Sequence, residues 1–106
     1  MQPNGTRNPP SERGVSPVAL TLTPSLDVCI ETQARRSYNQ TVSGLLNTPE
    51  DPGLQQALEV VRLFLEQADF NQLRAQSEPH LVAGKHVTFT VWQENRRSRW
   101  RMSVVG

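Results

Sequence analysis

Residues 86–105 read HVTFTVWQENRRSRWRMSVV, and this stretch decides the fold. Two runs of alternating apolar and polar residues flank Asn95-Arg96, the pattern of two strands joined by a tight turn. With the turn centred there, Val91 faces Trp100, Phe89 faces Met102 and Val87 faces Val104. Three apolar pairs then share one face. The other face collects Trp92 with Arg99, Thr90 with Arg101, Thr88 with Ser103 and His86 with Val105. A slip of one residue would set Val, Phe and Val opposite Arg or Ser, so the register is strongly specified.

Upstream, residues 53–68 form the clearest helix. Leu54, Leu58, Val61, Leu65 and Ala68 recur at helical spacing, and Val60, Leu63 and Phe64 widen the apolar arc beyond one stripe. An arc that wide needs cover on two sides. One side is expected on the sheet and the other against a second helix or a partner chain. Val60, Leu63 and Phe64 are the expected contact residues for a partner. Two starts compete: Thr48 capping with Pro49 first, or Asp51 capping with Pro52 first. The first would leave Pro52 at the fourth position, where its missing N–H costs a bond, so Asp51 is preferred.

Asp69 caps a following helix that carries Phe70 and Leu73. Ser77-Glu78-Pro79 resembles a fresh helix start, or a kink within the same helix, and Gly84 is the stop. Before the loop at 47–53, Ala34, Tyr38, Val42 and Leu45 give residues 33–46 helical spacing, weakened at its end by Gly44.

The N-terminal third holds two alternating runs: Val18, Leu20, Leu22, and then Leu26, Val28, Ile30. Pro24 separates them or sits on a sheet edge. The second run reads as the better strand, with Cys29 on its opposite side. Residues 1–16, MQPNGTRNPPSERGVS, cannot bury enough apolar area to offset their ordering entropy. They are expected to be a disordered tail before a single domain at 17–106.

The expected fold is α+β: a small antiparallel sheet, of one or two N-terminal strands plus the C-terminal hairpin, packed on one face by two or three helices. The helices and first strand are expected to bury Leu26, Val28, Ile30, Tyr38, Val42 and Leu45, with Leu58, Val61, Leu65, Phe70 and Leu73. The hairpin adds Val87, Phe89, Val91, Trp100, Met102 and Val104.

The chain has 106 residues and a formal net charge of +1. No global field draws it to nucleic acid or a membrane. The charge is unevenly placed. Lys85, Arg96, Arg97, Arg99 and Arg101 near the C-terminus face only Glu94, whereas Glu50, Asp51, Glu59, Glu66, Asp69 and Glu78 in the middle outnumber Arg62 and Arg74. No apolar run approaches the roughly 18 residues of a membrane helix. With one cysteine, Cys29, no internal disulfide can form, and no signal peptide is read at the polar N-terminus, so a cytoplasmic location is expected.

Chemistry-bearing residues are sparse. His80, His86, Glu78 and Cys29 match no closed zinc spacing. Cys29 is expected to be a buried or half-buried thiol and not a nucleophile. Asp27 and Glu31, four residues apart on one strand face, would stand about 13 Å apart. That is too far for a carboxylate pair acting on one bond. No phosphate loop or nucleophile elbow is present. No catalytic residue, cofactor or metal is therefore assigned.

The leading expectation is a small non-catalytic interaction module that self-associates, as a homodimer. The alternative is single-stranded nucleic-acid binding through the hairpin's outer face, with Trp92 stacking on bases and Arg96, Arg97, Arg99 and Arg101 holding phosphates. A third expectation is an enzyme subunit with a site at a shared interface.

Overall fold

A computed structural model describes residues 17–24 and 29–106. The expected tail, 1–16, and Leu26, Asp27 and Val28 lie outside the described residues. The elements run β1 (Val18–Leu22), α1 (Ile30–Asn47), α2 (Pro52–Gln67), α3 (Phe70–Val82), β2 (His86–Glu94) and β3 (Arg97–Val105). The strands form one antiparallel sheet in the order β1-β2-β3, and the fold is α+β.

The hairpin takes the register read from its apolar pairs, from Glu94 opposite Arg97 to His86 opposite Val105. Asn95 and Arg96 have φ of 55° and 63°. Two successive left-handed residues are what a two-residue turn needs to match the strands' twist. β2 is the central strand, and its Val87, Phe89 and Val91 are fully buried. On its far side they pair with Leu22, Leu20 and Val18 of β1.

This corrects the N-terminal reading. The strand is the first alternating run, and Ile30 and Glu31 belong to α1. Ile30 and Ala34, one turn apart, are both buried, so the spacing of helix α1 begins at Ile30 and overrides the short alternation that ended there. β1 stops at Leu22, two residues before Pro24.

The helices pack on one face of the sheet. Ile30 and Ala34 of α1, Val60 and Phe64 of α2 and Leu73 of α3 join Leu20, Leu22, Val87, Phe89 and Val91 in one core. α2 begins as read: the Asp51 carboxylate accepts from the N–H groups of Gly53 (2.9 Å) and Leu54 (3.2 Å). Asp69 likewise accepts from Gln72 N–H at the head of α3. α3 runs unbroken through Pro79, so Ser77-Glu78-Pro79 is no fresh start. Pro79 and Ala75, the residue whose carbonyl loses its partner, are both exposed, and water can take that bond. Gly84, at φ 85°, ends the turn after α3.

The facing of α2 differs from the expectation. Val60, Leu63 and Phe64 are buried within one chain, at 1%, 6% and 0% exposure. They are therefore not a surface for a partner. The apolar arc admits either flank as the sheet side, and the larger Phe64, edge-on to Phe70 at 5.4 Å, takes it. Leu54, Leu58 and Leu65 are only half-buried. Tyr38, Val42, Leu45, Phe70, Trp100, Met102 and Val104 are also half-buried. Gly44 allows α1 to approach α2: a Cβ there would come within 3.1 Å of Leu54 Cδ1.

The turn supplies a test. Arg96 holds a left-handed conformation without being glycine. Arg96→Gly is expected to stabilise the fold by about 0.5–1 kcal/mol, the left-handed cost less glycine's unfolded-state entropy. Urea unfolding at constant m-value measures it.

Candidate interaction surface

The sheet has two edges, and they are treated differently. In a hairpin closed by a two-residue turn, Glu94 and Arg97 form a hydrogen-bonded pair, and such pairs alternate along the ladder. The backbone groups of Arg97, Arg99, Arg101 and Ser103 therefore point at β2. Those of Ser98, Trp100, Met102 and Val104 point outward. By the same alternation, Ala19 and Thr21 face outward on β1.

Glutamines close parts of both edges. On β1, Gln33 of α1 donates its side-chain N–H to the Thr21 carbonyl at 3.1 Å. Arg36, Ser37 and Gln40 of α1 line the rest of that side beside Ala19 and Leu20. On β3, the Gln67 carbonyl accepts from Ser98 N–H at 2.8 Å, while its amide donates to the Arg96 carbonyl at 3.4 Å. Gln67 thus imitates a neighbouring strand for the first residues of β3. It sits in an open polar groove of about 470 Å³ with Asp69, Gln72, Arg97, Ser98, Arg99 and Trp100. Beyond it, no described residue caps the outward backbone of Trp100, Met102 or Val104. Their side chains are half-buried against the core, and the neighbouring Val105 is 67% exposed.

The outer face of the hairpin also departs from expectation. Trp92 is 3% exposed, and its indole N–H has no hydrogen-bond partner among the described residues. A ring so covered has no face for a base, so stacking on Trp92 is ruled out. Parity placed the residue on the outer side, but parity says nothing of what lies over it. The arginines do reach solvent. Arg96, Arg97 and Arg99 are exposed and Arg101 is half-buried. Arg99 Nε lies 3.6 Å from Glu94, whose side chain is only 10% exposed. Beside them Thr21 and Thr88 share a hydroxyl contact of 3.1 Å.

Cys29 is the N-cap of α1 and not a strand residue. Its Sγ lies 3.4 Å from the Thr32 hydroxyl. That hydrogen bond foremost, with backbone N–H groups of the first turn, holds the thiol below its ordinary pKa against a smaller opposing effect of burial. Glu31 pairs with Arg35 at 2.9 Å. His80 lies in the last turn of α3 and His86 opens β2. Among the described residues, no three His, Cys, Asp or Glu side chains are placed to hold a metal ion, and no helix is long and apolar enough to cross a membrane.

One family model matches residues 17–96. The chain belongs to that uncharacterised family. The match begins one residue before β1 and ends inside the β-turn, so it takes in every element but β3. No curated protein and no solved structure matches. The family thus adds no assigned chemistry to the hairpin edge and the arginine face.

The N-cap position of Cys29 has a measurable consequence. A lowered pKa means a larger thiolate fraction in the folded state, and thiolate is the form that reacts. The rate of iodoacetamide alkylation plotted against pH is expected to have its midpoint below that of the same chain in denaturant. Thr32→Val is expected to move the folded midpoint upward.

Proposed function

We propose that the protein is a small non-catalytic interaction module that self-associates through the outer edge of β3, joining two sheets into one of six strands. The observation that carries this reading is the contrast between edges. β1 is covered by α1 and the start of β3 by Gln67, whereas Trp100, Met102 and Val104 turn outward backbone groups that no described residue pairs. An unguarded edge is a template for another strand. A chain of this size buries a modest share of its surface, so a shared sheet also adds stability.

A second copy suits this edge better than an arbitrary strand, because charge excludes the registers about Trp100 and Arg101 and apolar pairing favours the one about Met102. Pairing two β3 strands antiparallel about Arg101, or about Trp100, sets arginine opposite arginine. Pairing about Met102 sets Trp100 against the partner's Val104 and Arg101 against the partner's Ser103. It also sets Arg99 against the partner's Val105. Like charges are then separated, and the half-buried Trp100, Met102 and Val104 meet their counterparts across a two-fold axis. The contact is short, so the dimer is weak, with a Kd of about micromolar order. The lone cysteine, outside any disulfide, favours work in a reducing compartment such as the cytoplasm.

Ser103 tests the register. Ser103→Arg puts an arginine opposite the partner's Arg101 twice across the axis, and Ser103→Glu puts a carboxylate there. At roughly 0.2–1 kcal/mol per cross-strand pair, the first is expected to weaken and the second to tighten the dimer several-fold. Sedimentation equilibrium reads both. A wild-type chain that stays monomeric at millimolar concentration overturns the proposal.

A further inference from the structure

We propose that the outer face of β3 binds the phosphate backbone of single-stranded nucleic acid through charge and hydrogen bonds, without base stacking. The surface belongs to one chain and does not depend on pairing at the edge. Arg97, Arg99 and Arg101 alternate along β3, so all three project from the face away from the helices, about 7 Å apart. Arg96 extends the row into the turn. Successive phosphates along an extended strand stand at a comparable interval, and a guanidinium fork matches two phosphate oxygens.

The surroundings favour a polyanion. Arg96, Arg97 and Arg101 make no ion pair among the described residues. Glu94, the only carboxylate on the outer face of the strands among the described residues, is 10% exposed at its side chain and is turned to Arg99, so it offers phosphates little repulsion. Asp69, at the head of α3, shares the groove with Arg97 and Arg99 and bounds the basic row on that side. Beside Ala19, His86 and Val105 the face carries Thr21, Thr88, Thr90 and Ser103, whose hydroxyls bond phosphate as readily as water. An acidic helix would project its charges from a curved surface, whereas a single strand lies flat along a row of this kind. The same face lacks an exposed aromatic, because Trp92 is covered. Binding therefore reads charge and not base identity, and Arg97 and Arg101 contribute more than Arg99, which Glu94 partly occupies.

Fluorescence anisotropy with labelled oligothymidylate and oligoadenylate of about twenty nucleotides tests this. Both are expected to bind with similar affinity at about 20 mM salt, and log K is expected to fall with log salt with a slope of about −2, as for three phosphates on a single strand. Arg97→Gln with Arg101→Gln is expected to weaken binding tenfold or more. Arg97→Lys with Arg101→Lys, which keeps the charge, is expected to retain most of it. Arg36→Gln with Arg74→Gln removes the same net charge from the helices and is expected to change binding less than twofold. Three results overturn the proposal: neither oligomer binds at low salt, the two glutamine pairs lose affinity equally, or one homopolymer is preferred more than tenfold.

Discussion

The whole structure hangs on β2. Its Val87, Phe89 and Val91 are fully buried, with Leu22, Leu20 and Val18 on one side and Val104, Met102 and Trp100 on the other. Nine apolar residues in three ranks make a continuous floor, and Phe64, Val60, Ile30 and Leu73 settle onto it. A one-residue slip on either flank would turn that floor over and expose it. The turn at Asn95-Arg96 keeps the register of β3 despite its left-handed cost, because the paired ranks outweigh it.

A single central strand leaves two edges, and the helices are long enough to guard only part of them. α1 runs beside β1 and sends Gln33 to its backbone. α2 ends at the hairpin tip, where Gln67 holds Ser98 and the Arg96 carbonyl. The rest of β3 is left to its own side chains. In the proposed dimer, arginines on its outer face restrict which register that edge accepts. The same arginines carry the proposed affinity of that face for anions. One short strand thus links the two proposed interactions, one through its backbone and one through its side chains.

Much of this was legible in the sequence. The hairpin register, the Asp51 and Asp69 caps and the order of helices follow from period, parity and capping chemistry, which act over a few residues. Four features did not follow, each for a nameable reason. Ile30 satisfies both a strand alternation with Leu26 and Val28 and a helical spacing with Ala34, and the tertiary core chose the second. The arc on α2 has two apolar flanks of similar size, so Val60, Leu63 and Phe64 read equally well as core or as contact. Trp92 lies on the outer side by parity, yet it is 3% exposed, and parity carries no information on burial. Gln33 and Gln67 carried no local signal at all: each looks like any polar helix residue until the strand beside it is placed.

The central claim is that the Trp100–Val104 edge is where two copies join, and amide hydrogen exchange measured residue by residue tests it most directly. At low concentration Ser98, bonded to Gln67, is expected to be protected while Trp100, Met102 and Val104 exchange as open amides. Raising the concentration through the micromolar range is expected to slow those three together and to leave the outward amides of Ala19 and Thr21 unchanged. Rapid exchange at Trp100, Met102 and Val104 at every concentration would contradict the account.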